Sequence, residues 1–210
     1  MLALIKREIY DHLVYFIAAL FLSFITITII SYTAYYTDLG GSFSFIIGFL
    51  FFVFFAIIIG FTGMGVTQMY SDKNKRISTF LSTLSVTRNR ILTARIIAGI
   101  LAILTYFLPV FIAAIVMYRL LSPPLPVFKT LFFHVYTVTI LISFACYCIG
   151  LQTGWTAGKL APTLGGLILA CIFASIIKIK GFDSQVSLLL IIFIIASLIR
   201  IRQKFMSTSL

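Results

Sequence analysis

Residues 49–61 read FLFFVFFAIIIGF, an uninterrupted apolar stretch at the centre of a longer apolar run over about residues 43–67. Such a run is typical of a membrane span rather than of a soluble domain. Because a helix needs about 20 mostly apolar residues to cross a bilayer, the run predicts a transmembrane helix. Its phenylalanine surface either faces lipid, which is the commoner arrangement, or lines a path for an apolar or amphipathic substrate.

The rest of the chain has the same apolar character. Hydrophobic residues make up 61% of its 210 residues and charged residues 10%, whereas soluble domains carry about 25% charged residues. The mean hydropathy is +1.16. The net charge of +11 would suggest nucleic acid in a soluble protein, but these basic residues lie between apolar runs, where they anchor loops to headgroups. The composition predicts an all-α integral membrane protein with a single transmembrane domain over residues 1–210.

Six apolar runs are long enough, or nearly long enough, to span a membrane. They cover about residues 13–36, 43–67, 92–118, 130–150, 160–179 and 185–200. The last run is short and spans with snorkelling polar ends. The first run is too long for the apolar core of a secretory signal, and no small-residue cleavage site follows a shorter one, so we expect no cleaved leader.

The distribution of Lys and Arg sets the orientation. With the N-terminus in the cytoplasm, 12 of the 16 basic residues, Arg95 among them, fall on the inner side and 4 on the outer side. The positive-inside rule therefore predicts a multi-pass protein of the cell inner (plasma) membrane with both termini in the cytoplasm. The outer connections are too short to form an extracellular domain.

The N-terminal residues, MLALIKREIYDH, combine apolar and charged positions. Leu2, Ile5, Ile9 and Leu13 recur every three or four residues with charged residues between them. This pattern predicts an amphipathic helix over about residues 1–12 that lies at the membrane interface. The alternative is a simple extension of the first spanning helix.

The most polar part of the chain lies between the second and third apolar runs, in a cytoplasmic segment over about residues 68–91. Its core, DKNKRISTFLSTLSVTRNR, places four apolar residues at helical spacing: Ile77, Phe80, Leu81 and Leu84. We expect a short amphipathic helix capped by Ser71 or Asp72, then a turn at SVTRNR. An ordinary basic loop held at the headgroups is the plain alternative. The greater length of this segment, compared with the inner connection at 151–159, favours a docking surface for another protein.

A resemblance to a known family begins at this segment. An acidic residue, Asp72, precedes the short helix, and residues 84–95 read L-S-V-T-R-x-x-I-L-x-A-R. This pattern resembles the loop between helices 2 and 3 of type-2 ATP-binding-cassette (ABC) exporter permeases, which read Leu-Pro-Val-Ser-Arg, then Ile-Leu and a Lys. Arg95 replaces that Lys, Ser85 replaces the Pro, and Arg76 stands where Gly is common.

The resemblance implies a fold and a mechanism. Six transmembrane helices, an N-terminal interfacial helix and a short cytoplasmic coupling helix between spans 2 and 3 would form a permease that pairs with a second copy or a paralogue. Each permease would bind a separate cytoplasmic ABC ATPase that carries ATP and Mg, through an amphipathic helix in a groove. ATPase closure would then rock the spans. The implied coupling residues are Asp72, Ile77, Phe80, Leu81, Leu84, Val86 and Arg88.

In that mechanism the apolar coupling residues fill the ATPase groove, and Asp72 and Arg88 fix the helix ends by charge pairing. The family often carries re-entrant helices before the last span. The outer connection at 180–184 is too short for them, so the resemblance implies a minimal outer gate here.

No catalytic, metal or cofactor site is expected in the chain itself. The nearest approach to a phosphate loop, TGWTAGKL at 153–160, has Leu160 where Ser or Thr must hold magnesium. The three cysteines fall in apolar runs without a nearby His or carboxylate, which predicts packing residues. The acidic residues lie at run ends or loops, and His134 near an outer boundary reads as an interfacial polar residue. This absence of buried charge argues against secondary transport and against an enzyme.

Small residues mark places where helices can approach closely. Gly166, Ala170 and Ala174 repeat every four positions in the fifth run and predict either a dimer seam or packing within one subunit. The GFTGMG stretch at 60–65 either packs tightly or flexes.

Two functions fit the whole pattern. The first is a permease subunit of an ATP-driven exporter that moves an apolar or amphipathic substrate. The alternative is a non-transporting membrane anchor or scaffold in a larger membrane complex, which also accounts for the basic inner face and the missing catalytic groups.

Overall fold

The fold is known from a computed structural model that describes residues 2–35, 42–75, 87–120, 126–154, 168, 172 and 184–207. These residues are almost entirely helical and include no strand. They form six helices: α1 (Leu2–Asp11), α2 (Leu13–Tyr35), α3 (Ser42–Lys75), α4 (Arg88–Leu120), α5 (Pro126–Thr153) and α6 (Ser184–Ser207).

Five of these helices are long and apolar enough to cross a membrane, which confirms an all-α membrane protein. The candidate spans are Leu13–Tyr32, Phe52–Ser71, Arg88–Met117, Phe133–Thr153 and Gln185–Met206. The predicted run at 160–179 lies outside the described residues, except for Ile168 and Ile172, which are helical and exposed. A sixth span therefore stays a prediction.

The two longest helices are longer than the hydrocarbon core of a bilayer. α3 has 34 residues and α4 has 33, so each is about 50 Å long at 1.5 Å per residue, against a hydrocarbon core of about 30 Å. Ser71 and Asp72, predicted to cap a separate short helix, instead lie inside α3. The apolar run of α3 ends before the helix does. Apolar residues are needed only where the helix contacts lipid, whereas the helical backbone hydrogen bonds continue through polar residues that favour helix.

α3 packs most extensively against α5, and glycines bring their backbones together. A Cβ atom on Gly65 would lie 2.5 Å from the Tyr147 carbonyl oxygen, and one on Gly150 would collide with the Thr62 carbonyl. A Cβ on Gly154 would lie 2.6 Å from the Val66 carbonyl oxygen. Close approach through small residues is the usual way in which membrane helices gain packing contact. We call this contact the α3–α5 seam.

The N-terminal helix α1 is separated from α2 by a single residue, His12. The Tyr15 backbone N–H donates to the His12 carbonyl at 3.0 Å across the break, a tight turn between the two helices. α1 packs against α4 as well as α2. Glu8 is its buried residue, whereas Leu2 of the predicted apolar stripe is exposed. The position of α1 at a membrane interface stays a prediction.

Candidate functional site: a buried polar cluster around Arg95

A group of mostly polar side chains is buried where α1, α3, α4, α5 and α6 meet. Each member is at most 9% exposed, and Arg95, with 2% exposed, contacts three of the other helices. We call the group the Arg95 cluster; it contains Glu8, His12, Gln68, Met69, Arg95, Tyr147 and Phe205.

Arg95 of α4 contacts three other helices through its guanidinium group. Its Nε donates to Glu8 Oε1 of α1 at 3.4 Å, and its Nη1 donates to the Met69 Sδ of α3 at 3.7 Å. The guanidinium carbon lies 5.9 Å from the centroid of the Phe205 ring of α6. Because Arg stays protonated in proteins, its burial requires such partners, and the carboxylate, sulfur and ring together supply them.

Tyr147 connects α5 to the same cluster. Its hydroxyl oxygen lies 2.6 Å from Gln68 Oε1 of α3 and 2.9 Å from the backbone carbonyl oxygen of Arg95. A hydroxyl has one proton, so it donates to one of these acceptors at a time. Gly99 makes room for the ring, since a Cβ at that position would collide with it.

Gln68 Nε2 is the polar side-chain atom of the cluster that has no hydrogen-bond partner within the described part of the chain. A buried amide donor without a partner costs about 1–3 kcal/mol. With the Gln68 amide turned over, Nε2 donates to the Tyr147 oxygen, and Tyr147 donates to the Arg95 carbonyl. That arrangement uses the one hydroxyl proton once and links Gln68, Tyr147 and the α4 backbone in a chain of hydrogen bonds.

Glu8 and His12 are the titratable groups on the α1 side of the cluster. His12 Nε2 lies 3.8 Å from Glu8 Oε2, so each oxygen of this carboxylate faces a different basic side chain. Burial raises the pKa of Glu8, and the positive charge of Arg95 partly offsets that rise. Burial lowers the pKa of His12 below 6.5, which keeps the imidazole neutral at pH 7. At neutral pH the charged partner of Glu8 is therefore Arg95.

The cluster corrects two expectations from the sequence. Arg95 was counted among the basic residues on the inner side, and Glu8 among the acids at run ends or loops; both are buried. The predicted absence of buried charge is therefore wrong. Sequence pattern shows where charges lie along the chain, but Glu8 and Arg95 are 87 positions apart and meet only through packing.

The sequence around Arg95 distinguishes it from the other basic residues, although it does not identify Glu8 as its partner. Arg95 is flanked by apolar residues on both sides in ILTARIIAGI, and Gly99 follows one turn later. A charge inside an apolar run, here three residues after its start at position 92, with a glycine on its own helix face is unusual for a headgroup anchor. Gly150 and Gly154, spaced four apart, were an equally readable sign of the α3–α5 seam.

The residues predicted to couple the chain to an ATPase are mostly beyond the described ranges. Asp72 lies in α3, and Arg88 is the first residue of α4 and is half-buried. The other predicted positions fall in the segment at 76–86 or, for the proposed dimer seam, in the fifth run; they are Ile77, Phe80, Leu81, Leu84, Val86, Gly166, Ala170 and Ala174.

On the other side of α3 an apolar cleft opens toward α2. It has a volume of about 300 Å³, and its walls include Ala18 and Phe21 of α2, Ala56 and Gly60 of α3 and Tyr106 of α4. A Cβ on Gly60 would meet no atom within 4 Å. We call this space the α2–α3 cleft. It can hold an apolar group of modest size.

Metal chemistry finds no support among the described residues, which include no group of three His, Cys, Asp or Glu side chains able to hold an ion. Cys146 and Cys148 are free and buried in α5, as predicted for packing residues, and His134 is exposed on the same helix.

Comparison of the chain with models of known protein families, with curated proteins and with solved structures finds no match in any of the three.

Proposed function

We propose that the chain is the permease subunit of an ATP-driven exporter in the plasma membrane, with both termini and the segment at 76–86 in the cytoplasm. It works as a dimer with a second copy or a paralogue. Separate cytoplasmic ATPase subunits bind the ATP and Mg, and the chain itself performs no hydrolysis. Six spans and an interfacial α1 complete the arrangement.

The position of the Arg95 cluster next to the segment at 76–86 supports the proposal best. This segment connects the end of α3 at Lys75 to the start of α4 at Arg88. Met69 lies six residues before Lys75 and Arg95 seven residues after Arg88, about 9 and 10 Å along the helix axes. A partner that grips the segment therefore pulls on two helix ends that are joined to each other within about two turns.

The contacts of the cluster suggest how such a pull would spread. Arg95 joins α4 to α1, α3 and α6, and Tyr147 adds α5. Packed helix ends of this kind move as a body rather than deform, because close-packed interiors resist compression. An ATPase stroke at 76–86 would thus move the inner ends of five helices together, as alternation between two states of a transporter requires.

The α2–α3 cleft supports an apolar or amphipathic substrate. Its lining is mostly apolar, with the ring of Tyr106 at one wall. The Tyr106 hydroxyl is already hydrogen-bonded to Thr26 Oγ1 at 3.2 Å. An apolar or amphipathic substrate suits this space better than an ion or a sugar, which would find few free polar partners there.

The proposal is tested by partner capture from the native host. Leu81→Asp, which places a charge on the predicted apolar stripe, should abolish co-purification of an ATPase while the chain stays in the membrane. Ser82→Asp adds the same charge on the polar face of the same predicted helix and should retain the ATPase. Equal recovery of the ATPase with both variants would show that the predicted apolar stripe does not bind it. A native assembly that contains no nucleotide-hydrolysing chain would favour the anchor or scaffold function instead.

A further inference from the structure

A second cavity, of about 210 Å³, borders the Arg95 cluster at Met69 and Phe205. Residues of α3, α5 and α6 line it, and Arg200 and Lys204 of α6 are on its wall. These two residues are four positions apart and so share one face of the helix. Gln152 and Thr153 at the end of α5 add polar groups, whereas Met69 and Phe205 are apolar.

The charge of this cavity is positive. Among the described residues that line it, two are cations and none is a carboxylate. The carboxyl end of α5 at Thr153 contributes about half a negative charge, which the positive charge of Arg200 alone exceeds. The Gln152 Nε2 donates to the Ser197 carbonyl at 3.4 Å, which ties the α5 side of the cavity to α6. The site thus offers a cation pair held between two connected helices.

We propose that this cavity binds the phosphate-bearing headgroup of an anionic membrane lipid. Basic pockets between membrane helices on the cytoplasmic side are the usual binding places for such headgroups. The cavity lies at the ends of two candidate spans, Phe133–Thr153 and Gln185–Met206, where headgroups are found. Its apolar wall suits the glycerol and the first methylene groups of a lipid, which a free phosphate lacks.

The lipid would also stabilise the Arg95 cluster. Met69 and Phe205 separate the cavity from Arg95, and both contact its guanidinium group, Met69 through Sδ and Phe205 through its ring. A headgroup held by Arg200 and Lys204 would fix α6 against α3 and keep these two side chains on Arg95. Binding should therefore raise the thermal stability of the protein, independently of any ATPase or transport activity.

The test compares two single-charge variants on the same helix. Arg200 and Arg202 are both exposed, but only Arg200 is among the residues that line the cavity. Purified protein is titrated with phosphatidylglycerol or with phosphatidylcholine of identical acyl chains, and bound lipid is counted by native mass spectrometry. At about 1 kcal/mol for each basic residue, Arg200→Gln should lower the affinity for phosphatidylglycerol about fivefold. The double variant with Lys204→Gln should lower it about 25-fold, and Arg202→Gln should leave it unchanged.

Three results would overturn the proposal. Equal losses with Arg200→Gln and Arg202→Gln would indicate a general surface charge effect. Equal affinity for the two lipids would show that the cavity does not select an anionic headgroup. Inorganic phosphate that raised the melting temperature as much as phosphatidylglycerol does would indicate a free-anion site. Each result leaves the Leu81→Asp experiment unaffected, so failure here is distinct from failure of the exporter function.

Discussion

The two faces of α3 meet their neighbours in opposite ways. On one face, Gly65 lies against the α5 backbone so closely that a methyl group has no space. On the other face, Gly60 borders the α2–α3 cleft and has open space around it. The same residue type thus gives close contact on one side and free volume on the other. We infer that α3 and α5 move together and that the boundary with α2 is the one able to change.

The largest effect is expected from Glu8→Ala, which leaves the buried charge of Arg95 without its carboxylate. Removing one partner of a buried pair costs roughly 3–5 kcal/mol. Asp11→Ala removes the same charge from the same helix, but its partner Arg7, at 3.5 Å, is a surface residue, so the loss should stay below about 1 kcal/mol. Thermal unfolding in detergent measures both.

A double variant, Glu8→Leu with Arg95→Met, separates charge from packing. Replacing a buried pair with apolar residues is often neutral, so it should recover most of the stability that Glu8→Ala loses. If Glu8→Ala and Asp11→Ala unfold at the same temperature, the Arg95 cluster does not hold α1 in place.

A smaller effect is expected from alanine at the two glycines of α3, and it tests the comparison directly. Gly65→Ala forces its Cβ into the Tyr147 carbonyl, and overpacking of this kind costs about 1–3 kcal/mol. Gly60→Ala enters open space, where the higher helix propensity of alanine should stabilise by up to about 1 kcal/mol. The melting temperatures should shift in opposite directions. Equal shifts would mean that the two faces do not differ in packing.

The smallest effect is expected in how the stability of the protein depends on pH through His12 and Glu8 of the Arg95 cluster. The pKa of His12 is lowered by burial, so its contribution to stability is complete above 6.5 and is lost as the pH falls toward its lowered folded-state value. The pKa of Glu8 is raised by burial above 4.5, so its contribution is complete below 4.5 and is lost as the pH rises through its raised value. The two contributions have opposite slopes.

Single variants separate these slopes. Between pH 7.5 and 4.5, His12→Gln should lose less stability than the parent chain as the pH falls below 6.5, and Glu8→Gln should gain less than the parent chain as the pH falls toward 4.5. Unfolding temperatures across this range measure both slopes. Parallel pH profiles for all three proteins would show that neither group titrates in a buried site.

The spans were predictable from sequence, whereas the Arg95 cluster was not. Apolar runs report contact with lipid, so the runs at 13–36 and 92–118 coincide with α2 and α4. Helix ends were less predictable, because α3 continues to Lys75 after its apolar run stops. The pairing of Glu8 with Arg95 depends on how α1 packs against α4, and the positive-inside rule treats every basic residue as exposed.

The fit of the Tyr147 ring against Gly99 has a consequence for how this sequence can diverge. Any side chain at position 99 displaces the ring, and any loss of the ring leaves a void beside position 99 and removes the hydroxyl that donates to the Arg95 carbonyl. Mutations at the two positions should therefore be tolerated only as coupled pairs. Descendant sequences are expected to keep glycine with tyrosine, or to replace both with a larger and a smaller residue.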